Sequence, residues 1–271
     1  SSYNPDLMKE LTPESIQHGL SCTQIPSEKK RATSLFQGIQ KVMVEFEAGA
    51  PEESVSWDEK QFRFGSFSLR RNSYIDKAFT YVANEENEKQ GAIKILTAAI
   101  RYASIYAETR HIGPPQKVYD DFYRWGVRNE GFASPFNARL LGKNRAKFYS
   151  LFPDTDKCFG SGGSFFHLSQ PVNEGHWSLD PPFLPETMAK VDQQIQEWRS
   201  AFPQIAILYI IPQSHTPMVK PDETVTLFAN QHYYEGLDGL KNALPVNVCV
   251  HRYGILEDFD GQRIIQGYEK E

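Results

Sequence analysis

The sequence predicts an α/β protein in which a mainly helical N-terminal region precedes an open, parallel sheet with a helical layer. Two observations predict this class. Most segments of residues 1–127 have the periodicity of helices, whereas the chain after residue 127 contains short apolar runs rich in β-branched and aromatic residues. We therefore expect a helical region at residues 1–127, packed on the core, and a sheet domain at residues 128–271.

The elements of the N-terminal region are predicted from hydrophobic periodicity and from residues that begin or end helices. "TPESIQ" places Thr12 as an N-cap with Pro13 behind it, and a helix is predicted over residues 27–46. "QFRFGSFSL" alternates polar and aromatic residues, which favours a strand or an extended arm. Helical periodicity then returns in three segments: "SYIDKAFTYVANEE", "KQGAIKILTAAIRYASIYAETR" and "PPQKVYDDFYRWGV".

The C-terminal part is predicted to contain the sheet. "AKFYSLF", "GHWSLD", "IAILYIIP" and "NVCVHRYGIL" are strand candidates, and the amphipathic "LPETMAKVDQQIQEWRSAF" separates the middle pair. A strand, helix and strand in this order predict a right-handed crossover and parallel pairing. "IAILYIIP" hardly alternates, so both of its faces should be covered. Ligands of such sheets bind beyond the carboxyl ends of the strands.

Composition excludes several classes of protein. With 271 residues and 40% hydrophobic residues, the chain has enough apolar side chains for a substantial core, which excludes a disordered tail or a fibrous protein. The formal net charge of -5 means that nucleic-acid binding would need a local basic patch. Cys22, Cys158 and Cys249 lie far apart, so we expect neither a metal site nor disulfides, and a reducing, intracellular setting. No apolar run reaches the roughly 18 residues that span a bilayer, and no membrane association is expected.

Residues 180–183, Asp-Pro-Pro-Phe, follow "HWSL" directly and so end a predicted strand. Rigid acceptors beside an aromatic ring suit a flat ligand that carries an amine, such as an adenine. The amine of an adenine is a poor nucleophile, because its lone pair is delocalised into the ring. The Asp180 carboxylate and the Pro181 carbonyl offer two acceptors for its hydrogens, Pro182 stiffens the turn, and Phe183 offers a stacking surface. The alternative is a proline-rich helix N-cap, since Asp is a preferred cap and Pro is common at the first helical position.

Flanking motifs distinguish these two interpretations. "GFASPFN" at 131–137, "FPDTDKCFGS" at 152–161, "DPPF" at 180–183 and "IIPQ" at 210–213 resemble, in this order, the catalytic core of the phosphorylated CTD-interacting factor family. The resemblance covers roughly residues 115–235. It departs from the family where Asp180 replaces an Asn and where Gln213-Ser214 replaces Glu-Trp. The four tryptophans do not have the spacing of a WW module, so binding to polymerase tails is not implied.

The resemblance implies a Rossmann-like, S-adenosylmethionine-dependent methyltransferase sheet. Its activity would be methylation of the N6 amine of adenosine in RNA, most closely the adenosine next to the cap of mRNA, with S-adenosylhomocysteine as product and no metal. A nuclear location follows by resemblance, while cytoplasmic and virus-encoded settings stay open. The implied catalytic residues are Asp180, Pro181, Pro182 and Phe183, and the implied cofactor contacts are Asp180, Phe132, Ala133, Ser134, Pro135, Asn137, Asp154, Asp156, Phe159, Gly160 and Ser161.

Several of these assignments have plainer alternatives. The 132–137 segment also fits a buried turn, and Asp154 and Asp156 also fit Asx-turns, with no basis for choosing between them as the acidic partner of a ribose hydroxyl. "GSGGS" lacks the Lys of a phosphate-binding P-loop, which favours a flexible lid or a close backbone approach.

RNA binding needs cations, and the preferred cluster is the one next to the motifs in sequence. Arg70-Arg71 and Lys29-Lys30-Arg31 are weaker candidates, because a charge run is usually a solvated face. Two other functions compete: a catalytically silent RNA-binding or scaffold subunit of the same fold, and an adenine N6-methyltransferase that acts on DNA. The preferred RNA contacts are Arg139, Lys143, Arg145 and Lys147.

Overall fold

A computed structural model of the chain describes residues 55–271 apart from residue 66, residues 84–87 and residues 106–110. The predicted Thr12 cap, the helix at 27–46 and the Lys29-Lys30-Arg31 cluster lie outside the described residues.

The described part of the N-terminal region combines an antiparallel sheet with helices. The alternation in "QFRF" buries Phe62 and Phe64 on one side, where they pack with Ile75 and Phe79 of the first helix. The predicted strand is thus confirmed as a hairpin. The elements are β1 (Val55–Trp57), β2 (Gln61–Phe64), β3 (Phe67–Arg70), α1 (Ser73–Ala83), α2 (Glu88–Ile105), β4 (Ile112–Gly113) and α3 (Gln116–Arg124).

The rest of the chain alternates strands and helices. The predicted helix after the Asp-Pro-Pro-Phe motif is confirmed, and three of the four predicted strands are confirmed over more than half of their length, while "AKFYSLF" contributes only two strand residues. The elements are β5 (Val127–Glu130), β6 (Lys147–Phe148), α4 (Pro153–Asp156), β7 (His176–Leu179), α5 (Pro185–Ala201), β8 (Ile207–Pro212), β9 (Glu223–Leu227), β10 (Tyr233–Gly236), β11 (Lys241–Ala243), β12 (Val248–Tyr253) and α6 (Gly261–Tyr268).

Six strands form the central sheet in the order β6, β5, β7, β8, β12, β9. The first four are parallel to one another, whereas β12 is antiparallel to both of its neighbours. The predicted parallel pairing of β7 with β8 is confirmed. All parallel strands therefore present their carboxyl ends along one edge of the sheet, which we call the carboxyl edge, and their amino ends along the opposite amino edge.

Helices cover both faces of this sheet. β8 is buried along its whole length, with Leu208 and Ile210 in one core cluster and Ile207, Tyr209 and Ile211 in another. Apolar residues of α3 and α6 complete the first cluster, and those of α5 complete the second. The absence of alternation in "IAILYIIP" is thereby explained, because a strand between two helical layers has no solvated face.

A third core cluster joins the N-terminal region to the sheet. Side chains of β2, α1 and α2 pack against Phe136, Phe148, Phe152 and Phe159, which belong to or flank the "GFASPFN" and "FPDTDKCFGS" motifs. The N-terminal region therefore supports the segments that follow β5 and β6 at the carboxyl edge.

Candidate active site

The Asp-Pro-Pro-Phe motif lies at the carboxyl edge, in the loop between β7 and α5. Helix α5 begins at Pro185, and its N-cap is Leu184, which makes no side-chain cap hydrogen bond. Asp180 is four residues before that cap, so the helix-cap interpretation of Asp180 is wrong. The carboxyl group of Asp180 is therefore not used to cap helix α5.

Two prolines shape this loop. The backbone N–H of Leu184 donates to the Pro182 carbonyl at 2.7 Å, which closes a tight turn. No hydrogen bond from a described residue reaches the Pro181 carbonyl. Phe183 is an exposed large apolar side chain at 36% accessibility, so its ring is open to a planar ligand. Rigid acceptors and an open aromatic ring therefore lie within four consecutive residues.

A second acidic residue ends the neighbouring strand. Glu130 is the last residue of β5 and pairs in register with Ser178 of β7, two residues before Asp180. Its buried carboxylate accepts hydrogen bonds from the backbone N–H groups of Arg139 at 3.0 Å and Leu140 at 2.8 Å. Burial nevertheless raises the pKa of Glu130 to about 7. Glu130 thus anchors the turn that follows "GFASPFN".

The pKa of Asp180 is raised to about 7 as well. Loss of water around the carboxyl group is the main cause, the negative charge of Glu130 adds to it, and the hydroxyl of Tyr234 opposes it. A carboxyl group with this pKa changes charge near neutral pH, which is common at functional sites.

Three tyrosines surround the two acids. Tyr119 of α3, Tyr234 of β10 and Tyr268 of α6 are fully buried, and the charge of Asp180 helps to raise the pKa of each phenol well above 10. The hydroxyls of Tyr119 and Ser178 are hydrogen bonded at 2.6 Å. The site is therefore a carboxyl pair held among neutral phenols.

The "GFASPFN" segment forms a compact turn. The backbone N–H of Ser134 donates to Asn137 Oδ1 at 2.7 Å, and Asn137 Nδ2 donates to the Ile112 carbonyl at 3.1 Å. Ser134 and Pro135 are buried, whereas Phe132 and Ala133 are only partly buried. The buried-turn interpretation therefore describes Ser134 and Pro135, whereas Phe132, Ala133 and Asn137 are only partly buried.

Asp154 and Asp156 differ sharply in their surroundings. Asp156 is buried, accepts a hydrogen bond from the Tyr102 hydroxyl at 2.6 Å, and has a pKa raised by burial to about 6. The Asp154 side chain is 48% exposed, although one oxygen accepts a hydrogen bond from the buried Arg101 at 2.6 Å. Only Asp154 has a carboxylate that an incoming ligand can reach.

The remaining motif residues, at 159–164, pack beside β6. Phe159 is buried in the core, Gly160 ends a short helical turn, and the Ser161 hydroxyl is hydrogen bonded to that of Ser150 at 2.6 Å. Gly162 donates to the Phe148 carbonyl at 2.8 Å, and a Cβ there would lie 2.5 Å from the Tyr149 ring. The close backbone approach predicted for "GSGGS" is thus confirmed.

The four cations predicted to contact RNA do not share one surface. Arg139 is 1% exposed, donates to the Pro114 carbonyl at 2.6 Å, and stacks 3.7 Å from the Tyr74 ring centroid. Lys143 pairs with Asp120 at 3.0 Å, while Lys147, at the start of β6, is exposed. Arg139 consequently does not offer its charge to a phosphate at the surface.

Arg145 lies at the amino edge, away from Asp180. It forms an ion pair with Glu174 at 3.3 Å and lines an open pocket of about 350 Å³. That pocket is built by residues that precede β5, β6 and β7, so it faces away from the carboxyl edge. Nearness in sequence did not predict nearness in space. The lining residues are Tyr123, Gly126, Arg128, Asn144, Arg145, Glu174 and Gly175.

Sequence reasoning missed Glu130 and the three tyrosines. "VRNE" is too polar to be recognised as a strand, yet three of its four residues are buried, including Asn129. A polar run directly before a glycine-containing motif was the available signal for Glu130. Tyr234 and Tyr268 had none, because the chain separates them from Asp180 by more than fifty residues.

Two further findings concern metal binding and membrane spanning, and both are limited to the described residues. No group of three or more His, Cys, Asp or Glu side chains that could hold a metal ion occurs among them. Within the same part of the chain, every helix is too short or too polar to cross a membrane.

Comparison with known proteins gives a family match and two similar proteins. Residues 75–235, more than half of the chain, match the family described as "Phosphorylated CTD interacting factor 1 WW domain". A human protein named mRNA (2'-O-methyladenosine-N(6)-)-methyltransferase is 30% identical over 105 residues, and its mouse counterpart is 32% identical over the same length. The aligned residues are 38% of this chain and only 14% of the length of each relative.

Proposed function

The chain belongs to the phosphorylated CTD interacting factor 1 family, and on that premise we propose that it is an S-adenosylmethionine-dependent methyltransferase. We propose the N6 amine of adenosine in RNA as its target, and specifically the cap-adjacent adenosine of mRNA, which the names of the two relatives indicate. The observation that carries the proposal is the position of Asp180 to Phe183 at the carboxyl end of a central strand.

The strand order supports the methyltransferase part of the proposal. Four neighbouring parallel strands, β6, β5, β7 and β8, are followed by the antiparallel β12 and then β9, and this mixed α/β sheet supports our proposal of a Rossmann-like methyltransferase. In open α/β sheets, ligands bind beyond the carboxyl ends of the strands, and the proposed reacting groups lie there.

The residues at this edge fit a nucleoside cofactor. Asp154 offers an exposed carboxylate oxygen for a ribose hydroxyl, and Phe132 offers a partly buried ring that packs 5.1 Å from the ring centroid of Phe165. Gly162 brings the loop backbone close to β6, where its N–H donates to the Phe148 carbonyl. Asp154, rather than Asp156, is our choice for the ribose contact.

The chain contributes orientation and polarity to the reaction. S-adenosylmethionine supplies an electrophilic methyl group when bound. Asp180 and the Pro181 carbonyl accept hydrogen bonds from the two amine hydrogens, which favours a pyramidal nitrogen with an available lone pair, while Phe183 stacks on the base. Acceptors held in place before the reaction lower the barrier without a strong base.

The test is a methyl-transfer assay with labelled S-adenosylmethionine and three acceptors: capped RNA beginning with adenosine, the same RNA without a cap, and a DNA oligonucleotide. We expect capped RNA to gain label at the N6 position. Label in DNA alone would show that the substrate is DNA and not RNA. No label in any acceptor, with a folded protein that also ignores S-adenosylhomocysteine in calorimetry, would refute the enzyme and favour a silent scaffold.

A further inference from the structure

Two buried phenol hydroxyls near Asp180 have no hydrogen-bond partner among the described residues: those of Tyr234 and Tyr268. Buried polar groups are nearly always paired, because an unpaired one has lost its water without replacement. The two rings lie side by side with centroids 5.6 Å apart. Such a pair at a candidate active site requires an explanation.

The two hydroxyls differ in what they face. The Tyr234 hydroxyl lowers the pKa of Asp180, whereas the Tyr268 ring packs against the ring of Tyr234. Tyr119, the third phenol, is already hydrogen bonded to Ser178 at 2.6 Å. Tyr234 is thus the phenol whose hydroxyl has no hydrogen-bond partner among the described residues and whose presence lowers the pKa of Asp180.

We propose that Tyr234 is a positioning residue, whose hydroxyl donates a hydrogen bond to one oxygen of the Asp180 carboxylate and so leaves the other oxygen for the adenosine amine. The inference rests on the proposed function for its catalytic meaning, but the hydrogen bond itself is testable without a substrate. An Asn at position 180 would have one acceptor oxygen, whereas the carboxylate has two, and the second oxygen needs a donor at this partly buried position.

Every neighbouring titratable group acts on the Asp180 charge. Glu130 from β5 opposes it, and Tyr119, Tyr234 and Tyr268 approach it from α3, β10 and α6. Among these groups, Tyr234 alone lowers the pKa of Asp180 through its hydroxyl. Removing that hydroxyl should make the carboxylate harder to form.

The stability measurement tests the hydrogen bond. Because the folded pKa of Asp180, about 7, exceeds the ordinary value of 3.8, the group's contribution to stability is complete below about pH 4 and is lost as the pH rises through 7. The Tm of Asp180→Asn minus that of the wild type should therefore grow over this range and level off above it. In a Tyr234→Phe background, we expect the folded pKa of Asp180 about one unit higher and the midpoint of that growth therefore about half a pH unit higher.

Tyr233→Phe is the matched control, because Tyr233 is the neighbour of Tyr234 on β10 and only partly buried. In its background the midpoint should stay at the wild-type pH. A Tyr234→Phe midpoint that also stays there overturns the proposal, whether or not the protein methylates RNA. A merely structural Tyr234 would lower Tm equally at every pH.

The activity measurement tests the positioning role. With RNA that the wild type methylates, Tyr234→Phe should lower kcat about tenfold, leave KM for RNA nearly unchanged, and move the pH midpoint of kcat upwards. In an Asp180→Asn background, Tyr234→Phe should move no midpoint. A shift in the stability midpoint without any change in kcat would support the hydrogen bond between Tyr234 and Asp180 but overturn the positioning role of Tyr234. If no acceptor is methylated, the proposed function fails, and the stability measurement alone decides about Tyr234.

Discussion

The charged groups at the two edges of the parallel strands differ in their exposure to water. At the carboxyl edge, Glu130 and Asp180 are held among neutral phenols, and loss of water raises the pKa of both. At the amino edge, Arg145 and Glu174 form an ion pair with both side chains more than half exposed. Water screens the exposed ion pair of Arg145 and Glu174 more strongly than the carboxyl groups of Glu130 and Asp180. A charge at the carboxyl edge therefore has the larger effect on its neighbours.

This difference teaches where substitutions should matter. An exposed ion pair contributes about 0 to 1 kcal/mol, whereas a carboxyl group whose pKa is raised by desolvation controls what its site can bind and at which pH. Variants at the carboxyl edge should therefore alter the reaction, and variants at the amino edge should alter little.

The largest expected effect is that of Asp180→Ala. Losing an acceptor that acts on the reacting amine should lower kcat by about 100-fold to 1,000-fold. Affinity for S-adenosylhomocysteine in calorimetry should be largely kept. Asp180→Asn is the matched variant and should retain activity, because it keeps one acceptor oxygen. An inactive Asn variant with normal cofactor affinity would show that the carboxylate charge is required.

Phe183→Ala comes next. If its exposed ring stacks on the adenine, its loss should raise KM for RNA by about tenfold to 100-fold, which corresponds to the 1–3 kcal/mol of one base stacked on an aromatic ring. Phe183→Tyr should restore the wild-type KM. An unchanged KM in the Ala variant would mean that another surface holds the base.

Asp154→Asn should weaken cofactor binding by about tenfold, because the amide keeps an oxygen for Arg101 but presents an N–H in place of an acceptor to the ribose. Asp156→Asn is the matched control, since this buried side chain is used by Tyr102. Calorimetry with S-adenosylhomocysteine measures both variants. A loss of affinity in Asp156→Asn alone would reverse our choice between them.

Arg145→Ala should have the smallest effect. Its exposed pair with Glu174 lies at the amino edge, so KM for RNA and Tm should both stay close to wild type. Measuring KM at two salt concentrations checks this, because a lost phosphate contact also reduces the salt dependence of binding. A KM that rises severalfold would place RNA at the amino edge.

Much of the fold followed from local patterns. The alternation in "QFRF", the continuous apolar run of β8 and the amphipathic α5 each predicted an element that the structure contains, because burial on one face or on two leaves its own periodicity. β5 escaped prediction because its buried residues Asn129 and Glu130 are polar. Their hydrogen bonds, which make burial tolerable, come from segments distant in sequence.

The candidate site divides in the same way. Asp180 to Phe183, Phe132 and Asp154 were all predicted from motifs, since each motif is a short run at the end of a strand. The buried Arg139 and the amino-edge Arg145 could not be told apart from RNA-binding cations, because a sequence does not state the direction in which a side chain leaves the chain.

The sequence by itself determined the family, several of the helices and strands, and the rigid acceptor loop at residues 180–183, because these depend on residue type and on local spacing. Only the tertiary structure decided that Asp180 is not a helix cap, that Glu130 and three tyrosines surround it, and that two of the predicted RNA contacts lie elsewhere. The physical reason is that desolvation and charge act through space. A carboxyl group acquires its pKa from the groups that folding brings around it.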